Sequence, residues 1–264
     1  MAELTEFLEV AERAASEAGK VLLERLDGQH EVGFKGEGHH NPFSQADKQA
    51  ESVVLGIIND AFPEHTTISE ESGQGGSPSE YCWYIDPLDG TVNFLHGFRY
   101  FGVSVALAHR GEVIVGVVYD PVLNEMFTAF RGGGAYLNGR QVRVSATARM
   151  DECLLGMSFP YDRASGEFRA SIEYFTRLVK SGQAMRRGGS TALSLCDVAC
   201  GRYDGFYVVG NEIWDYAAGI LLVSEAGGMV TDFTGAPFRI HGERNEVLAT
   251  NGRMHPLILP YFTG

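Results

Sequence analysis

The six-residue run DPLDGT at positions 86–91 carries the strongest chemical signal in this chain. It places two carboxylates, Asp86 and Asp89, on either side of Pro87 and Leu88. Proline fixes its own backbone and lacks an amide donor, so the Leu88 carbonyl can turn toward the space between the two acids. Carboxylate and carbonyl oxygens are the ligands that hard divalent cations such as Mg²⁺ prefer. The run therefore predicts half of a metal site.

Two other acidic segments could supply the remaining ligands. Glu70 and Glu71 follow a short predicted strand, and Asp215 lies in the run WDYAAG at 214–219. If these carboxylates converged they would repel one another, because like charges about 4 Å apart cost roughly 4 kcal/mol at an effective dielectric of about 20. Two Mg²⁺ ions would cancel the charge of four carboxylates, and a third would offset most of a phosphate dianion. Such a cluster could activate water and stabilise a departing alkoxide, which is the chemistry of multi-metal phosphoryl hydrolysis.

Each acidic segment also has a simpler interpretation. Asp215 alone is typical of a helix cap, and the Glu70-Glu71 pair alone is typical of a solvated loop. Asp86 and Asp89 alone could form an ordinary turn. The occurrence of all three segments in one chain favours the metal site.

Composition and charge restrict the function further. The chain has 264 residues, is 44% apolar and carries a formal net charge of −13, so it can build a large core in an ordinary globular protein. Its 21 basic residues form no block, which argues against nucleic acid as a main ligand. No apolar run reaches the roughly 20 residues that span a bilayer, and the acidic start does not resemble a signal peptide. We therefore expect a cytoplasmic protein with no membrane partner.

Helices and an antiparallel sheet are predicted for the first half of the chain. Apolar residues recur at helical spacing through the first 26 residues, and Ser44 followed by Asp47 resembles a capping box at the start of a second helix. A short buried strand over Tyr81–Ile85 leads into the acidic run, so the acids should emerge where that strand ends. Hairpin turns at Arg110-Gly111 and around Asn138-Gly139 predict an antiparallel meander beyond residue 100.

Beyond about residue 150, strands and helices alternate, which predicts an α/β arrangement. The predicted strands are 153–159, 183–186, 206–209, 229–232 and 246–250, and the predicted helices are 165–181, 190–200, 215–226 and 252–262. No linker separates the two halves, so we expect two subdomains packed as one body. The first (1–145) is α+β and carries most metal ligands, and the second (146–264) is α/β and supplies Asp215 and substrate contacts.

The chain resembles the inositol monophosphatase family over nearly its whole length. That family is marked by an acidic pair, then D-P-[I/L]-D-G-T, then W-D-x-A-A-G in the C-terminal third. The matching segments here are Glu70-Glu71, the run at 86–91 continuing into Asn93-Phe94, and residues 188–192, 214–219 and 225–228. The resemblance implies an α-β-α-β-α layered fold and hydrolysis of a phosphate monoester by metal-activated water, without a phosphoenzyme. It also implies two to three Mg²⁺ ions, inhibition by lithium, and a homodimer.

The resemblance also assigns roles to matching residues. The metal ligands would be Glu70, Asp86, the Leu88 carbonyl, Asp89 and Asp215. Glu70 would also hold a third, weaker ion, while Asp47 and Thr91 would orient or deprotonate the attacking water. The substrate would contact Asp89, Gly90, Thr91, Gly189, Ser190, Thr191 and Asp215, with the amides of Gly90 and Thr91 binding the phosphate. On spacing alone, Asp47 could equally serve only as the capping-box residue of its own helix.

The resemblance does not choose the substrate, because family members cleave inositol phosphates, fructose bisphosphate, adenosine bisphosphates and histidinol phosphate with one metal core. We expect myo-inositol 1-phosphate, with fructose 1,6-bisphosphate or 3′-phosphoadenosine 5′-phosphate as alternatives. Members that prefer inositol commonly carry Glu six residues before the Trp-Asp pair, where this chain has Val208. An apolar side chain cannot accept hydrogen bonds from sugar hydroxyls, although Glu212 or a partner subunit could substitute. The non-enzymatic alternative is a regulatory binding partner in a transcription assembly.

Three basic residues have two interpretations each. Arg186 and Arg187 could receive a second phosphate or pair with surface acids, and Lys35 could meet a phosphate or remain solvated. If the substrate is a bisphosphate, the two arginines mark the place where its second phosphate would bind.

Overall fold

The protein folds into five layers in the order α-β-α-β-α, as the resemblance implies. The computed structural model describes residues 2–28, 32–35, 41–240 and 246–263. Within these ranges the helices are α1 (Ala2–Arg25), α2 (Gln45–Ala61), α3 (Thr91–Leu95), α4 (Gly166–Leu178), α5 (Thr191–Ala199), α6 (Ile213–Glu225), α7 (His255–Ile258) and α8 (Pro260–Thr263). Of these described helices, none is both long enough and apolar enough to cross a membrane.

The strands of the same ranges form a small hairpin and two large sheets. The hairpin is β1 (Val32–Phe34) with β2 (Pro42–Ser44). The first sheet contains β3 (Thr66–Ser69), β4 (Gly73–Gly76), β5 (Tyr81–Asp89), β6 (Gly102–His109), β7 (Glu112–Asp120), β8 (Glu125–Phe130), β9 (Gly134–Leu137) and β10 (Arg140–Val142). The second sheet contains β11 (Leu154–Met157), β12 (Ala184–Arg186), β13 (Gly205–Val209), β14 (Met229–Thr231) and β15 (Glu246–Thr250).

The first sheet confirms the predicted meander. Its described strands follow the order β10-β9-β8-β7-β6-β5-β3-β4, and only β3 and β5 pair in parallel. The turns at Arg110-Gly111 and Asn138-Gly139 have positive φ at both residues, which matches the twist of tight hairpins. Helices α1 and α2 cover one face of this sheet, and α6 packs on the other.

The first two helices form where the sequence predicts them. Helix α1 buries a stripe of small and apolar side chains against the sheet, which includes Phe7, Ala11, Ala14, Ala18 and Leu22. Helix α2 begins at the predicted capping box, in which Asp47 Oδ2 accepts both the backbone N–H and the hydroxyl of Ser44, each at 2.7 Å. This cap fixes the Asp47 side chain in the first turn of α2.

The second sheet is mixed. Its described strands follow the order β12-β11-β13-β15-β14, with β11 parallel to both of its neighbours and β15 antiparallel to both of its own. The helix predicted over 252–262 is instead two short helices, α7 and α8, because Pro260 lacks the amide donor that a continuous helix needs. The proposed subdomain boundary near residue 145 falls between β10 and β11 and stays a prediction.

Two glycines let α6 approach its neighbours closely. A Cβ atom on Gly219 of α6 would lie 2.5 Å from the Leu195 Cβ in α5, and one on Gly116 of β7 would lie 2.8 Å from the Ala218 carbonyl oxygen. Atoms in a packed interior do not approach that closely, so both positions require the absence of a side chain. Helix α6 is therefore fixed from two sides, and the residues of its first turn are fixed with it.

The buried His255 links α7 to the second sheet and should make stability depend on pH. Its ring nitrogens lie 3.0 Å from the hydroxyls of Thr231 and Thr250, and burial lowers its pKa. The unfolded chain then binds more protons below about pH 6.5, so the free energy of unfolding falls as the pH falls. Between pH 7 and 5, we expect the free energy of unfolding to change more steeply with pH in the wild-type protein than in His255→Gln. The two slopes should differ by up to about 1.4 kcal/mol per pH unit.

Urea denaturation of both proteins at pH 5, 6 and 7 measures that difference. His255→Gln serves as the reference for the wild-type protein, because the carboxylates titrate in the same way in both. Equal slopes would contradict a neutral, buried His255.

Candidate active site

A β-bulge in β5 brings the two aspartates of the acidic run to the same side of the sheet. Asp86 pairs with Ser104 and Asp89 pairs with Gly102, so three steps on β5 oppose two steps on β6. In a regular strand, residues three apart point to opposite faces. The extra residue reverses that alternation, and both aspartates line one cavity. The predicted turn at Pro87-Leu88 is therefore a bulge within a strand that continues to Asp89.

The start of α5 holds the Asp89 carboxylate. Asp89 accepts the backbone N–H groups of Thr191 at 3.2 Å and Ala192 at 2.7 Å, and a short hydrogen bond from the Ser190 hydroxyl. Ser190 is buried and does not line the cavity, and its predicted contact with a substrate stays a prediction. Its hydroxyl holds the Asp89 carboxylate in position.

A glycine turn connects β5 to α3 at the cavity wall. Gly90 has a φ of +101°, which favours glycine, and a Cβ there would lie 3.3 Å from the Gly189 carbonyl oxygen. The Asn93 side-chain amide donates to the carbonyls of Tyr100 and Gly188 at 2.7 and 2.8 Å. These contacts join the turn before α3 to the turn before α5.

Glu70 and Glu71 share one cation, the ammonium group of Lys35. The Lys35 Nζ lies 3.0 Å from Glu70 Oε1 and still closer to Glu71 Oε1. The Glu71 side chain is only 5% exposed, and burial raises its pKa while Lys35 opposes that rise. Lys35 is therefore a partly buried counter-ion of the acidic pair rather than a solvated lysine.

Helix α6 presents Asp215 to the cavity from its first turn. Asp215 Oδ2 accepts the backbone N–H of Glu212 at 3.0 Å, so the carboxylate also caps the helix. The Ser104 hydroxyl donates to the Trp214 carbonyl at 3.0 Å and ties α6 to β6. Asp215 can therefore cap α6 with one oxygen and still offer the other to a metal ion.

One cavity of about 370 Å³ collects the side chains of all three acidic segments. Glu70 directly follows β3, Asp86 and Asp89 belong to β5, and Asp215 belongs to α6. The predicted residues that line the cavity are Glu70, Asp86, Leu88, Asp89, Gly90, Thr91, Gly189, Thr191 and Asp215. Segments far apart in the sequence therefore meet in one acidic recess.

The carboxylates of the cavity disfavour one another's charge. Burial, and then the charges of Glu70 and Asp89, raise the pKa of Asp86 and of Asp215 well above the usual range. Burial also raises the pKa of Asp89 to about 6, although the hydrogen bond from Ser190 opposes the rise. A cation in the cavity would relieve this repulsion.

Within the described residues, no three Asp, Glu, His or Cys side chains converge closely enough to hold a metal ion as they stand. Their oxygens bind protein donors instead, as Asp86 binds the Leu88 N–H at 2.9 Å. The donor set nevertheless fits Mg²⁺, because it offers only oxygens at the wall of one cavity. The Lys35 ammonium beside Glu70 already occupies a position where a cation is favoured. Carboxylates that turned from their protein donors toward the cavity could bind the metal.

Thr91 connects the cavity to the buried Asp47. The Thr91 hydroxyl lies 3.0 Å from Asp47 Oδ1 and 3.1 Å from the Leu88 carbonyl oxygen. Asp47 is 1% exposed and does not line the cavity, so it reaches the cavity only through Thr91. One oxygen of Asp47 caps α2 while the other contacts Thr91, so the two interpretations of this residue are not exclusive.

A segment after β11 and the turn before α6 form cavity walls that the motifs did not predict. The unpredicted lining residues include Ser158, Phe159, Pro160, Tyr161, Asp162 and Asn211. Loss of water at the cavity wall, and then the charges of Asp215 and Asp89, raise the pKa of Tyr161 although 47% of this residue stays exposed, so its phenol stays a neutral hydrogen-bond donor. Asn211 donates to the Thr191 hydroxyl at 2.9 Å. The sequence feature that could have indicated Asn211 is its position four residues before Asp215.

Val208 lies outside the cavity. This side chain is fully buried in the core between the sheets and does not line the cavity. Glu212, named as its possible substitute, does line the cavity. Glu212, Asn211 and Tyr161 are polar side chains at the cavity wall.

Known proteins resemble this chain over most of its length. The sequence pattern of the inositol monophosphatase family matches residues 3–263. The Nus factor SuhB of Escherichia coli strain K12 is 43% identical over 229 residues, which cover 86% of this chain and 85% of that protein. The inositol-1-monophosphatase of Synechocystis is 41% identical over 254 residues, which cover 96% of this chain and 87% of that protein.

Solved structures share the fold. The extragenic suppressor protein suhB of Bartonella henselae superposes with a TM-score of 0.91 at 35% identity, covering 97% of this chain and 98% of that one. The inositol monophosphatase of Anabaena superposes with a TM-score of 0.87 at 40% identity, covering 99% of this chain and 96% of that one. With the acidic cavity, the layered fold and the full-length sequence match in agreement, the chain belongs to the inositol monophosphatase family.

Proposed function

We propose that this protein is a magnesium-dependent phosphomonoesterase that hydrolyses a small polyol phosphate, with myo-inositol 1-phosphate as the first candidate. The observation that carries the proposal is the convergence of four carboxylates from three segments on one cavity, next to the Thr91 hydroxyl. The ligands would be Glu70, Asp86, the Leu88 carbonyl, Asp89 and Asp215. When bound there, Mg²⁺ would lower the pKa of water and offset the charge of the phosphate.

The chain's own groups would orient the attacking water. The Thr91 hydroxyl can donate its hydrogen bond to Asp47 Oδ1, which leaves an oxygen lone pair of Thr91 free to accept a hydrogen bond from water in the cavity. Asp47 keeps its position because its other oxygen is held by Ser44. Asp47 therefore acts as a positioning residue behind Thr91.

Other groups of the cavity wall would bind the substrate. The amides of Gly90 and Thr91 can donate to phosphate oxygens, because the positive φ of Gly90 turns the backbone at the wall. Tyr161, as a neutral phenol, and Asn211 can donate to hydroxyl oxygens of the polyol. Glu212 can accept from those hydroxyls, which is the contact that the apolar Val208 cannot make.

A phosphate-release screen tests the proposed function. The purified protein is assayed with myo-inositol 1-phosphate, fructose 1,6-bisphosphate, 3′-phosphoadenosine 5′-phosphate and histidinol phosphate, with Mg²⁺ and with EDTA. We expect release that requires Mg²⁺ and that lithium inhibits. Release that continues in EDTA would refute a metal-dependent reaction, and no release from any of these esters would refute the phosphomonoesterase itself.

A second candidate function follows from the relatives named Nus factor SuhB. In this alternative the chain acts as a regulatory binding partner in a transcription assembly. An affinity capture from cells with wild-type protein and with Asp215→Asn separates the two functions. Equal capture of transcription proteins by both forms, together with normal growth of cells that carry only the variant, would favour the binding role. Loss of growth with retained capture would favour the enzyme.

A further inference from the structure

Helix α2 buries two carboxylates on the face that packs against the first sheet. Asp47 and Glu51 are 1% and 6% exposed, and they lie four residues apart, which places them on one side of the helix. Val54 and Ile58 continue this buried face in the following turns. Asp47 contacts Thr91, whereas Glu51 has no role in the reaction proposed above. A buried carboxylate is costly unless it is paired or hydrogen-bonded, so Glu51 needs such partners.

The partners of Glu51 lie in the loop that carries the acidic pair. Its Oε1 accepts the backbone N–H groups of Glu71 at 3.1 Å and Ser72 at 3.0 Å, and the Ser72 hydroxyl at 3.2 Å. Among the described residues no cation forms an ion pair with Glu51, whereas Glu70 and Glu71 both contact Lys35. The buried charge of Glu51 is therefore compensated by donors of this one loop.

The same hydrogen bonds fix the backbone around Glu70. Strand β3 turns into β4 at residues 70–72, which form a three-residue hairpin loop. The Glu70 N–H donates to the Ile85 carbonyl of β5 at 3.2 Å, and the next two N–H groups of the loop donate to Glu51. Three successive amides are thus bonded to the sheet or to α2, although surface loops are usually more mobile than the elements they connect.

Helix α2 thereby connects two parts of the candidate active site. Its first turn holds Asp47 against Thr91, which would orient the attacking water, and its second turn holds the loop of Glu70, which would bind the metal. We propose that Glu51 is a positioning residue for the metal. It fixes the backbone from which the Glu70 side chain reaches the cavity and so raises the affinity for Mg²⁺. The inference rests on the metal-dependent function proposed above.

Two conservative variants separate the position of this carboxylate from its charge. Glu51→Asp keeps the charge but is one methylene shorter, so its oxygens withdraw from the loop. Glu51→Gln loses the charge but keeps an oxygen acceptor at the same reach. Calorimetric titration with Mg²⁺ alone measures the dissociation constant without turnover. We expect Glu51→Asp to bind Mg²⁺ about 10–100-fold more weakly than the wild type, and Glu51→Gln to stay within about threefold of it.

Asp204→Asn controls for a general loss of structure. Asp204 is 5% exposed and accepts the Leu154 N–H at 2.7 Å and the Ser145 hydroxyl at 2.6 Å, so it also holds distant segments with a buried carboxylate. It does not line the acidic cavity. This variant should be less stable in urea but should bind Mg²⁺ within about twofold of the wild type, because distant sites act independently.

Three results would overturn the proposal. The first is wild-type affinity for Mg²⁺ in Glu51→Asp. The second is an equal loss of affinity in Glu51→Asp and Asp204→Asn, which would mean that any buried carboxylate has this effect. The third is a larger loss in Glu51→Gln than in Glu51→Asp, which would mean that Glu51 acts through its charge and not through its position.

Phosphate release gives a second readout and separates this role from the proposed function. The Mg²⁺ concentration for half-maximal release should rise in Glu51→Asp by the same factor as the dissociation constant, while the rate at saturating Mg²⁺ stays within about threefold of the wild type. Weaker Mg²⁺ binding in Glu51→Asp without release from any ester would keep the role of Glu51 and refute the phosphomonoesterase. Metal-dependent release with unchanged Mg²⁺ binding in this variant would refute the role of Glu51 alone.

Discussion

Asp215→Asn is expected to slow magnesium-dependent phosphate release by about a thousandfold or more while making the metal-free protein more stable. The asparagine oxygen can still accept the Glu212 N–H, so the cap of α6 survives. The variant loses the charge through which Asp215 would bind Mg²⁺. It also loses a carboxylate whose pKa is raised by burial and by Glu70 and Asp89, so the repulsion in the cavity falls.

Two measurements check this prediction. Phosphate release is compared at saturating Mg²⁺, and thermal unfolding is compared in EDTA, where the variant should melt about 2–4 °C higher for each kcal/mol of relieved repulsion. Asp120→Asn is the control, because Asp120 is another buried acid that binds the amides of Val122 and Leu123 and does not line the cavity. Turnover within tenfold of wild type for Asp215→Asn would contradict its assignment as a ligand.

Gly219→Ala is expected to lower the free energy of unfolding by about 2–3 kcal/mol, although alanine is the better helix former. The new Cβ would lie 2.5 Å from the Leu195 Cβ, between two packed helices. Relief requires α5 and α6 to separate, and these helices hold Asp89 and Asp215. Urea denaturation measures the loss of stability, and residual turnover should fall with it.

Gly56→Ala is the matched control for that substitution. Gly56 also lies in a helix, α2, but an added Cβ would meet nothing within 4 Å. Here the same change should stabilise the protein by about 0.5–1 kcal/mol, because only the backbone preference of glycine is removed. A loss of stability in both variants would mean that helix packing is not what Gly219 protects.

Local signals in the sequence predicted local structure well. The Ser44–Asp47 capping box, the amphipathic first helix and the Asn138-Gly139 hairpin each depend on residues a few positions apart, and each is present as predicted. The motif residues Glu70, Asp86, Asp89 and Asp215 do line one cavity, although their roles as ligands stay predictions. Short-range rules therefore cover the elements, whereas the choice of acidic residues rests on three separate motifs and on the family resemblance.

Features set by distant parts of the chain could not be predicted in the same way. The Lys35 contact with Glu70 spans 35 residues, and Lys35 alone carries no sign of it. Val208 occupies the position expected for a substrate contact, yet its side chain is buried between the sheets, which depends on how β13 pairs with β15. Tyr161 follows no motif and enters the cavity wall only because of where its segment lies after β11.

The bulge in β5 makes the number of residues between Asp86 and Asp89 part of the site itself. Deleting either intervening residue would leave two steps on β5 opposite two steps on β6, so the second aspartate could still pair with Gly102, but the bulge at the cavity wall, which Leu88 lines, would be lost. Substitutions at Pro87 or Leu88 keep that count, so this stretch can accept changes of side chain more readily than changes of length. Among homologues, insertions and deletions should therefore avoid this segment even where the residue types vary.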